Sequence, residues 1–360
     1  METTSRTAVN TPLTLRGVTI PNRVWMSPMC QYSAKADGVP TDWHLVHYGS
    51  RAVGGCGLVM VESTAIGPDH RTTAADLGLW SEDQMAAHSR LAGIIRSSGA
   101  IPAVQLQCAG RKSSHQVPWQ GGGQNSPVPP EDGGWTPWAP SAVPFGALTV
   151  PREMTVTDID VVVEAFAESA RLADRAGYDV VEIHAAHGYL LHQFLSPLAN
   201  QRSDDYGGSL KNRMRLALQV AKAVREAFPE DKPVFVRMTA TDWADGGISF
   251  EEATVFASEL ANLGIDLLDV SSGALIPTAP PPQRTGLNVD YAVQLAAASG
   301  LPVAPVGQIA DAVAVEAALD GGVEAVLVGR ALLRDPYFKL RVDAGDLKGR
   351  WPSQYHRALA

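Results

Sequence analysis

Val181-Glu182-Ile183-His184-Ala185-Ala186-His187-Gly188-Tyr189-Leu190 joins two kinds of sequence in one short stretch. Its first half continues an apolar, β-branched run that begins at Tyr178, and such a run reads as a strand covered on both faces. Its second half delivers two histidines three apart and then a tyrosine, just where that strand would end. Buried parallel strands that release polar groups at their C-terminal ends form the rims on which α/β proteins build sites. The fold therefore turns on whether other runs of this kind accompany it.

Seven do: Arg23–Met29, Gly57–Glu62, Ile101–Leu106, Val234–Met238, Leu267–Val270, Pro302–Val306 and Ala325–Val328. Each is nearly continuous in apolar residues, and helical patterns separate them. Ser249 with Glu252 predicts a capping box opening a helix over Glu251–Asn262, with Gly264 as its stop. Thr157 is expected to cap a helix through Leu172 that Gly177 stops, and Ser209 to cap Asn212–Ala227. Asn288 precedes a predicted helix at Tyr291–Ala298, and another over Ala310–Leu319 ends at Gly321-Gly322. Eight β–α alternations predict an α/β fold, a single-domain (β/α)8 TIM barrel over 1–360. An open doubly wound sheet with two domains is the alternative. Leu13–Ile20 alternates around Gly17 and predicts an N-terminal β-hairpin closing the barrel bottom. Residues 113–140, rich in Gly, Pro and Trp, form a long loop after strand three, read as a lid-like excursion or a surface insertion.

Composition narrows the partners. A 45% hydrophobic content suits a full globular core, and a net charge of −9 with no basic run argues against nucleic acid and anionic membranes. Cys30, Cys56 and Cys108 are scattered without CxxC spacing, which argues against a disulfide framework or an iron–sulfur cluster. No apolar stretch approaches the ~20 residues of a membrane helix. The opening METTSRTAVNTP has no apolar h-region, so a cytoplasmic location is expected.

With these strands, reactive groups converge on one mouth. Ser27, Pro28, Met29, Cys30 and Tyr32 close strand one, followed in turn by Ser63, Gln105, the His184–Tyr189 group, Arg237, Ser271, Gly307 and Gly329-Arg330. Gly307, Gly329 and Arg330 suggest a phosphate site after the last two strands. Gln105 and Arg237 sit inside apolar strands. A buried arginine needs an acceptor, either a carboxylate within the barrel or a polar, electron-accepting ring. His184 and His187 offer two metal ligands where zinc needs a third. The second HxxH, His44 and His47, lies on a predicted helix. Core histidines, or donors to a carbonyl or anion, are the other readings. Tyr189 is a protonated donor at neutral pH, hence a general acid or a core tyrosine. Cys30 reads either as a small buried hydrophobe or as a residue that tunes a neighbouring ring.

Several motifs are more specific than any single residue: Pro21-Asn22-Arg23 before Ser27-Pro28-Met29-Cys30-Gln31-Tyr32, Ala109-Gly110-Arg111-Lys112, His184-Ala185-Ala186-His187-Gly188-Tyr189-Leu190, Asn200-Gln201-Arg202 with Asp204-Asp205-Tyr206-Gly207-Gly208-Ser209, and Gly329-Arg330 with Leu333-Arg334-Asp335-Pro336. On these the chain resembles the old yellow enzyme family of flavin ene-reductases, in particular its bacterial class of xenobiotic reductases and thermophilic-like enzymes. The resemblance implies an NAD(P)H:flavin oxidoreductase of NADPH dehydrogenase type, with non-covalent FMN, NADPH or NADH as reductant, and no metal. Its substrates would be activated alkenes such as enones, maleimides and nitroalkenes. It places Ser27, Pro28, Met29, Cys30, Ser63 and Gln105 around the isoalloxazine, Arg237 at its N1/C2 carbonyl edge, and Gly307, Gly329 and Arg330 at the phosphate. It makes His184 and His187 the ligands of the substrate carbonyl, Tyr189 the proton donor, Tyr32 a pocket wall and Cys30 a redox-tuning thiol. Arg357, in a C-terminal segment over 341–360, would reach a neighbouring subunit's site in a homodimer or homotetramer.

The chain departs from the pattern at Cys108, where histidine is usual, and at Ser63, where alanine is usual. Two rival readings accompany this one. A flavin-free phosphate-binding lyase or aldolase would need a strand-end lysine or a carboxylate cluster, and Lys112 and Lys232 lie off the strands. A non-catalytic flavin-binding protein would not need His184, His187 and Tyr189 to converge.

Overall fold

The computed structural model of the chain describes residues 8–123, 126–343 and 351–359. Residues 124–125 of the expected lid-like excursion, 344–350 and 360 of the expected C-terminal segment, and 1–7 lie outside the described residues. A hairpin of β1 (Leu13–Leu15) and β2 (Val18–Ile20) leads into β3 (Val24–Met26), β4 (Leu58–Ala65) and β5 (Ile101–Gln107). A small separate sheet of β6 (Trp138–Ala139) and β7 (Arg152–Glu153) follows. Then come β8 (Val180–Ala185), β9 (Val234–Thr239), β10 (Leu267–Ser271), β11 (Val303–Pro305) and β12 (Val326–Val328).

The eight expected core strands pair in parallel in the order β11-β10-β9-β8-β5-β4-β3-β12. A parallel bridge from Val306 to Leu327 joins the two ends, so the sheet closes into the (β/α)8 barrel. The period-two pleat sorts the side chains. Val181, Ile183, Val236, Met238, Leu268 and Val270 point outward to the helices. Ala103, Val180, Phe235 and Leu267 point inward and pack with Trp25, Leu58 and Met60. Trp25 stacks on Phe235 with ring centroids 5.9 Å apart. Leu15 and Ile20 of the hairpin join this inner cluster, and Gly17 N–H donates to the Asp231 carbonyl ahead of β9 at 2.8 Å. The hairpin thus stoppers the N-terminal end, and chemistry is left to the opposite mouth.

The helices differ from expectation mainly at their starts. Thr155, not Thr157, caps the helix Val156–Arg175, because Thr155 and Asp158 satisfy each other's backbone N–H groups. Ser249 and Ser209 cap as expected, by accepting from Glu252 N and Asn212 N. Asp311 caps Ala312–Asp320, so that helix starts two residues later than its composition suggests. Asn288 stands at the cap position of Val289–Ser299 but spends its amide elsewhere, accepting from Ser272 Oγ and donating to the Val306 carbonyl.

β4 carries a register shift between Val61 and Ser63, which brings Ser63 level with Gln105 of β5. Glu62 instead meets the helix Asp42–Val53, accepting from Tyr48 OH at 2.9 Å and facing His44 at 3.4 Å. That helix also carries the second HxxH pair. Among the described residues no helix is long and apolar enough to cross a membrane.

Burial holds several histidines neutral. Desolvation lowers His47 to about 3, His70 to about 4 and His88 to about 3. In the unfolded chain these groups take up protons near ~6.5, where the folded protein does not. Their stability is therefore full above that value and lost as pH falls below it. Thermal unfolding midpoints are expected to drop between about pH 7 and about pH 5, ahead of carboxylate titration. A flat profile over that interval would contradict this burial.

Candidate active site

The barrel mouth holds a cavity of about 580 Å³, lined among others by Ser27, Met29, His187, Arg237, Ser271, Gly307 and Gly329. Gly307 has φ +152°, and a Cβ there would come within 3.1 Å of Asn288 Nδ2, so the backbone itself forms that wall. Arg330 lines the same end, as does Arg334, one helical turn on. Both are exposed, and neither forms an ion pair among the described residues. The phosphate reading thus gains an arginine that sequence reasoning missed, although its i, i+4 spacing from Arg330 was visible.

The inner end of the cavity is a polar layer above the apolar barrel interior. Arg237, only 3% exposed, donates from Nε to Asp269 Oδ2 at 2.5 Å and from Nη2 to Ser27 Oγ at 2.9 Å. Its Nη2 also meets Asp269. Gln105 Nε2 donates to Glu182 Oε1 at 2.8 Å. Arg237 is thus ion-paired inside the barrel, as one sequence reading required, and it also lines the cavity. Ser63 Oγ, level with Gln105, is buried with no hydrogen-bond partner among the described residues.

At the end of β8 the histidines form a directed chain. Ala186 N–H donates to His184 Nδ1 at 3.2 Å, which leaves the proton of that imidazole on Nε2. His184 Nε2 lies 3.3 Å from His187 Nδ1, and His187 Nε2 lies 2.7 Å from Ser271 Oγ. The proton order that satisfies all three contacts has His184 donating to His187 and His187 donating to Ser271. Both rings are held well below the usual imidazole range. Burial is the main cause for each; the His187 ring adds to it at His184, and the Arg237 charge adds to it at both. Burial pushes Tyr189 up, so its phenol stays protonated. Its ring stands edge-on to His184 at 4.8 Å and lines a neighbouring cavity of about 310 Å³.

The turn that presents these groups is strained and braced. His187 has φ +56°, a region costing non-glycine residues about 1–3 kcal/mol. At Gly188, φ +70°, a Cβ would approach the Ala274 carbonyl to 2.6 Å. Gly188 N–H donates to His192 Nδ1 at 2.8 Å, and Asp242 lies 2.8 Å behind that imidazole. Lys112 Nζ donates to the carbonyls of His187 at 2.7 Å and Ala274 at 2.5 Å. Burial, with Arg111 adding, lowers this amine to about 7. Sequence reading set Lys112 aside as lying past strand three, but the short helix Gly110–Lys112 folds it back onto the site.

Cys30 is a free, half-buried thiol whose pKa burial pushes well up, the Asp76 and Glu62 carboxylates adding to it. Tyr32, at φ +48°, meets Trp119 edge-on at 5.9 Å, and His115 of the excursion over 113–140 lines the cavity beside Tyr189. The far end of the excursion is anchored by Trp135 Nε1, which donates to Ser113 Oγ at 2.6 Å. Cys108 Sγ lies 3.2 Å from His70 Nδ1, so a histidine from elsewhere packs against this departure from the family pattern. Arg357 is exposed and lines neither mouth cavity of its own chain. Among the described residues no group of three or more His, Cys, Asp or Glu side chains is placed to hold a metal ion.

Residues 9–348 match the model of the NADH:flavin oxidoreductase / NADH oxidase family. The chain belongs to this family. It is 41% identical over 335 residues to an NADPH dehydrogenase of Geobacillus thermodenitrificans, covering 92% of each chain. It is 42% identical over 353 residues to an NADH:flavin oxidoreductase of Gibberella zeae, covering 93% of this chain and 85% of the other. Morphinone reductase in complex with tetrahydroNAD superposes with a TM-score of 0.78 at 30% identity, over 94% of this chain and 91% of that one. The old yellow enzyme homologue of Zymomonas mobilis gives 0.76 at 26% identity, over 91% and 90%. The protein is accordingly an oxidoreductase of old yellow enzyme type, with FMN as cofactor and NAD(P)H as reductant. The cavity fits that group: a glycine-walled end with arginines suits its phosphate, Arg237 in its lining suits a polar ring, and the buried Ser63 hydroxyl has no partner among the described residues.

Arg237→Ala removes the only cation paired with Asp269 among the described residues. The apoprotein is expected to lose about 3–5 kcal/mol in denaturant unfolding, because a buried carboxylate is left without its partner. A loss under about 1 kcal/mol would mean that the ion pair is not buried as described.

Proposed function

We propose that this family member is an ene-reductase acting on activated alkenes such as enones, maleimides and nitroalkenes. The observation that carries the reading is the directed pair of neutral imidazoles, His184 and His187, at the mouth beside a protonated Tyr189. When bound, FMN supplies hydride taken from NAD(P)H to the β-carbon of the alkene. Ser27, Pro28, Met29, Cys30, Ser63, Gln105 and Arg237 would hold the polar ring of FMN, and Gly307, Gly329 and Arg330 its phosphate. Tyr32 lines the substrate side.

The substrate's carbonyl or nitro oxygen takes over the two Nε2 protons. One is otherwise given to His187 and the other to Ser271, so binding exchanges hydrogen bonds that already exist. As negative charge gathers on that oxygen, the nearby Arg237 and Lys112 charges favour it. Each donor is worth about 3–4 kcal/mol of barrier on the scale of oxyanion-hole deletions. Tyr189 then gives its proton to the α-carbon. Arg357 of a neighbouring copy completes the substrate wall in a homodimer or homotetramer.

His184→Ala combined with His187→Ala is expected to abolish binding of phenol-type anions, read as loss of their long-wavelength absorption change. Undiminished binding would remove the pair from the site. Tyr189→Phe is expected to slow alkene reduction by about 10²–10⁴-fold while oxidation of NADPH by the enzyme stays fast. Equal slowing of the two half-reactions would make Tyr189 a structural residue.

A further inference from the structure

Glu182 and Asp269 are wholly buried in the polar layer, and their known partners account for only half of their oxygens. Glu182 Oε1 accepts from Gln105 Nε2 at 2.8 Å and stands 3.7 Å from Arg237 Nε. Asp269 Oδ2 takes two nitrogens of Arg237. Glu182 Oε2 and Asp269 Oδ1 are buried and receive no hydrogen bond from any N–H or hydroxyl among the described residues. Both carboxyl groups crowd the one guanidinium, Asp269 Oδ2 in contact with Nη2 and Glu182 Oε1 3.7 Å from Nε. Two carboxylates are acceptors only, so if both were ionised the two orphaned oxygens would stay unsatisfied and one buried cation would face two buried negative charges; a proton on one of the acids removes both costs.

We propose that Glu182 and Asp269 hold one proton between them, resident on Glu182, so that the layer beneath the FMN ring is neutral: Arg237 guanidinium, Asp269 carboxylate, Glu182 carboxylic acid. The guanidinium selects Asp269 as its counter-ion because it approaches that group with two nitrogens and Glu182 with none at hydrogen-bonding distance. Burial, with the Asp269 charge adding to it, pushes Glu182 well up, in the same direction. Held between Glu182 Oε2 and Asp269 Oδ1, the shared proton would satisfy both orphaned oxygens at once. It leaves Glu182 Oε1 as the acceptor that pins the nitrogen of Gln105, so the opposite arm of that carboxamide, its oxygen, is turned away from Glu182. Glu182 is thus a positioning residue, acting on the cofactor through Gln105 and through the charge it does not carry.

The inference rests on the placement of FMN proposed above only for its effect on the cofactor, and the test separates the two. Infrared difference spectra of the wild type against Glu182→Gln, for apoprotein and FMN-loaded protein at neutral pH, should show a protonated-carboxyl band present in the wild type and missing in the variant. In Asp269→Asn the band should also vanish, because Glu182 then ionises as the sole counter-ion of Arg237. Glu182→Gln, which copies a neutral acid, should keep FMN affinity within about twofold. Glu182→Ala strands Gln105 and Asp269 and should weaken FMN by about tenfold or more. A wild type without the band, or a Glu182→Gln variant whose FMN affinity shifts as far as that of Glu182→Ala, would overturn the proposal. An intact band in a protein that reduces no activated alkene would overturn the functional reading alone.

Discussion

A guanidinium inside a closed barrel has no water to solvate it, and this one constraint organises the site. Arg237 can remain there only with acceptors at its own level, and in a parallel ladder those must come from inward positions of adjacent strands. Asp269 is the direct ladder partner of Arg237 on β10, and Glu182 precedes by two residues the ladder partner His184 on β8. Gln105 is level with Glu182 on β5. Below this layer, Trp25 and Phe235 fill the barrel with apolar volume; above it the cavity opens. The imidazoles then stand between a buried positive charge and the solvent.

That arrangement explains the charge state of the site. Burial is the main reason that the His184 and His187 rings stay neutral; the nearby Arg237 and Lys112 charges add to it, and the region favours an oxygen that gathers negative charge. A catalyst that relied on imidazolium would need carboxylates here, and the carboxyl groups of the layer are committed to Arg237 and to Gln105. Tyr189, protonated by burial, fits the same economy of charge.

The barrel was legible in the sequence because strands buried on both faces are nearly continuous in apolar residues, and all eight stood out in that way. Helix starts were less so. Thr155 and Thr157 are both plausible caps, and only the reciprocal bond with Asp158 separates them. The need of Arg237 for an acceptor was foreseeable, but its partners were hidden. Glu182 sits within the stretch that announces the fold, yet a lone carboxyl in an apolar run does not say which strand it will face. Lys112 was lost for a related reason, since sequence position past a strand end says nothing of a chain that turns back. Nor does residue type reveal that His184 and His187 already donate their protons within the protein.

The bulge in β4 behaves like a shift of reading frame. Before it the strand speaks to the barrel through Leu58 and Met60; after it Ser63 takes the inward place beside Gln105 while Glu62 addresses the helix outside. Were the pleat to run on unbroken with every residue kept, the Glu62 carboxyl would turn toward the cofactor layer and the Ser63 hydroxyl toward Tyr48. The extra residue at the bulge is therefore as much a part of the site as the identity of any side chain on the strand.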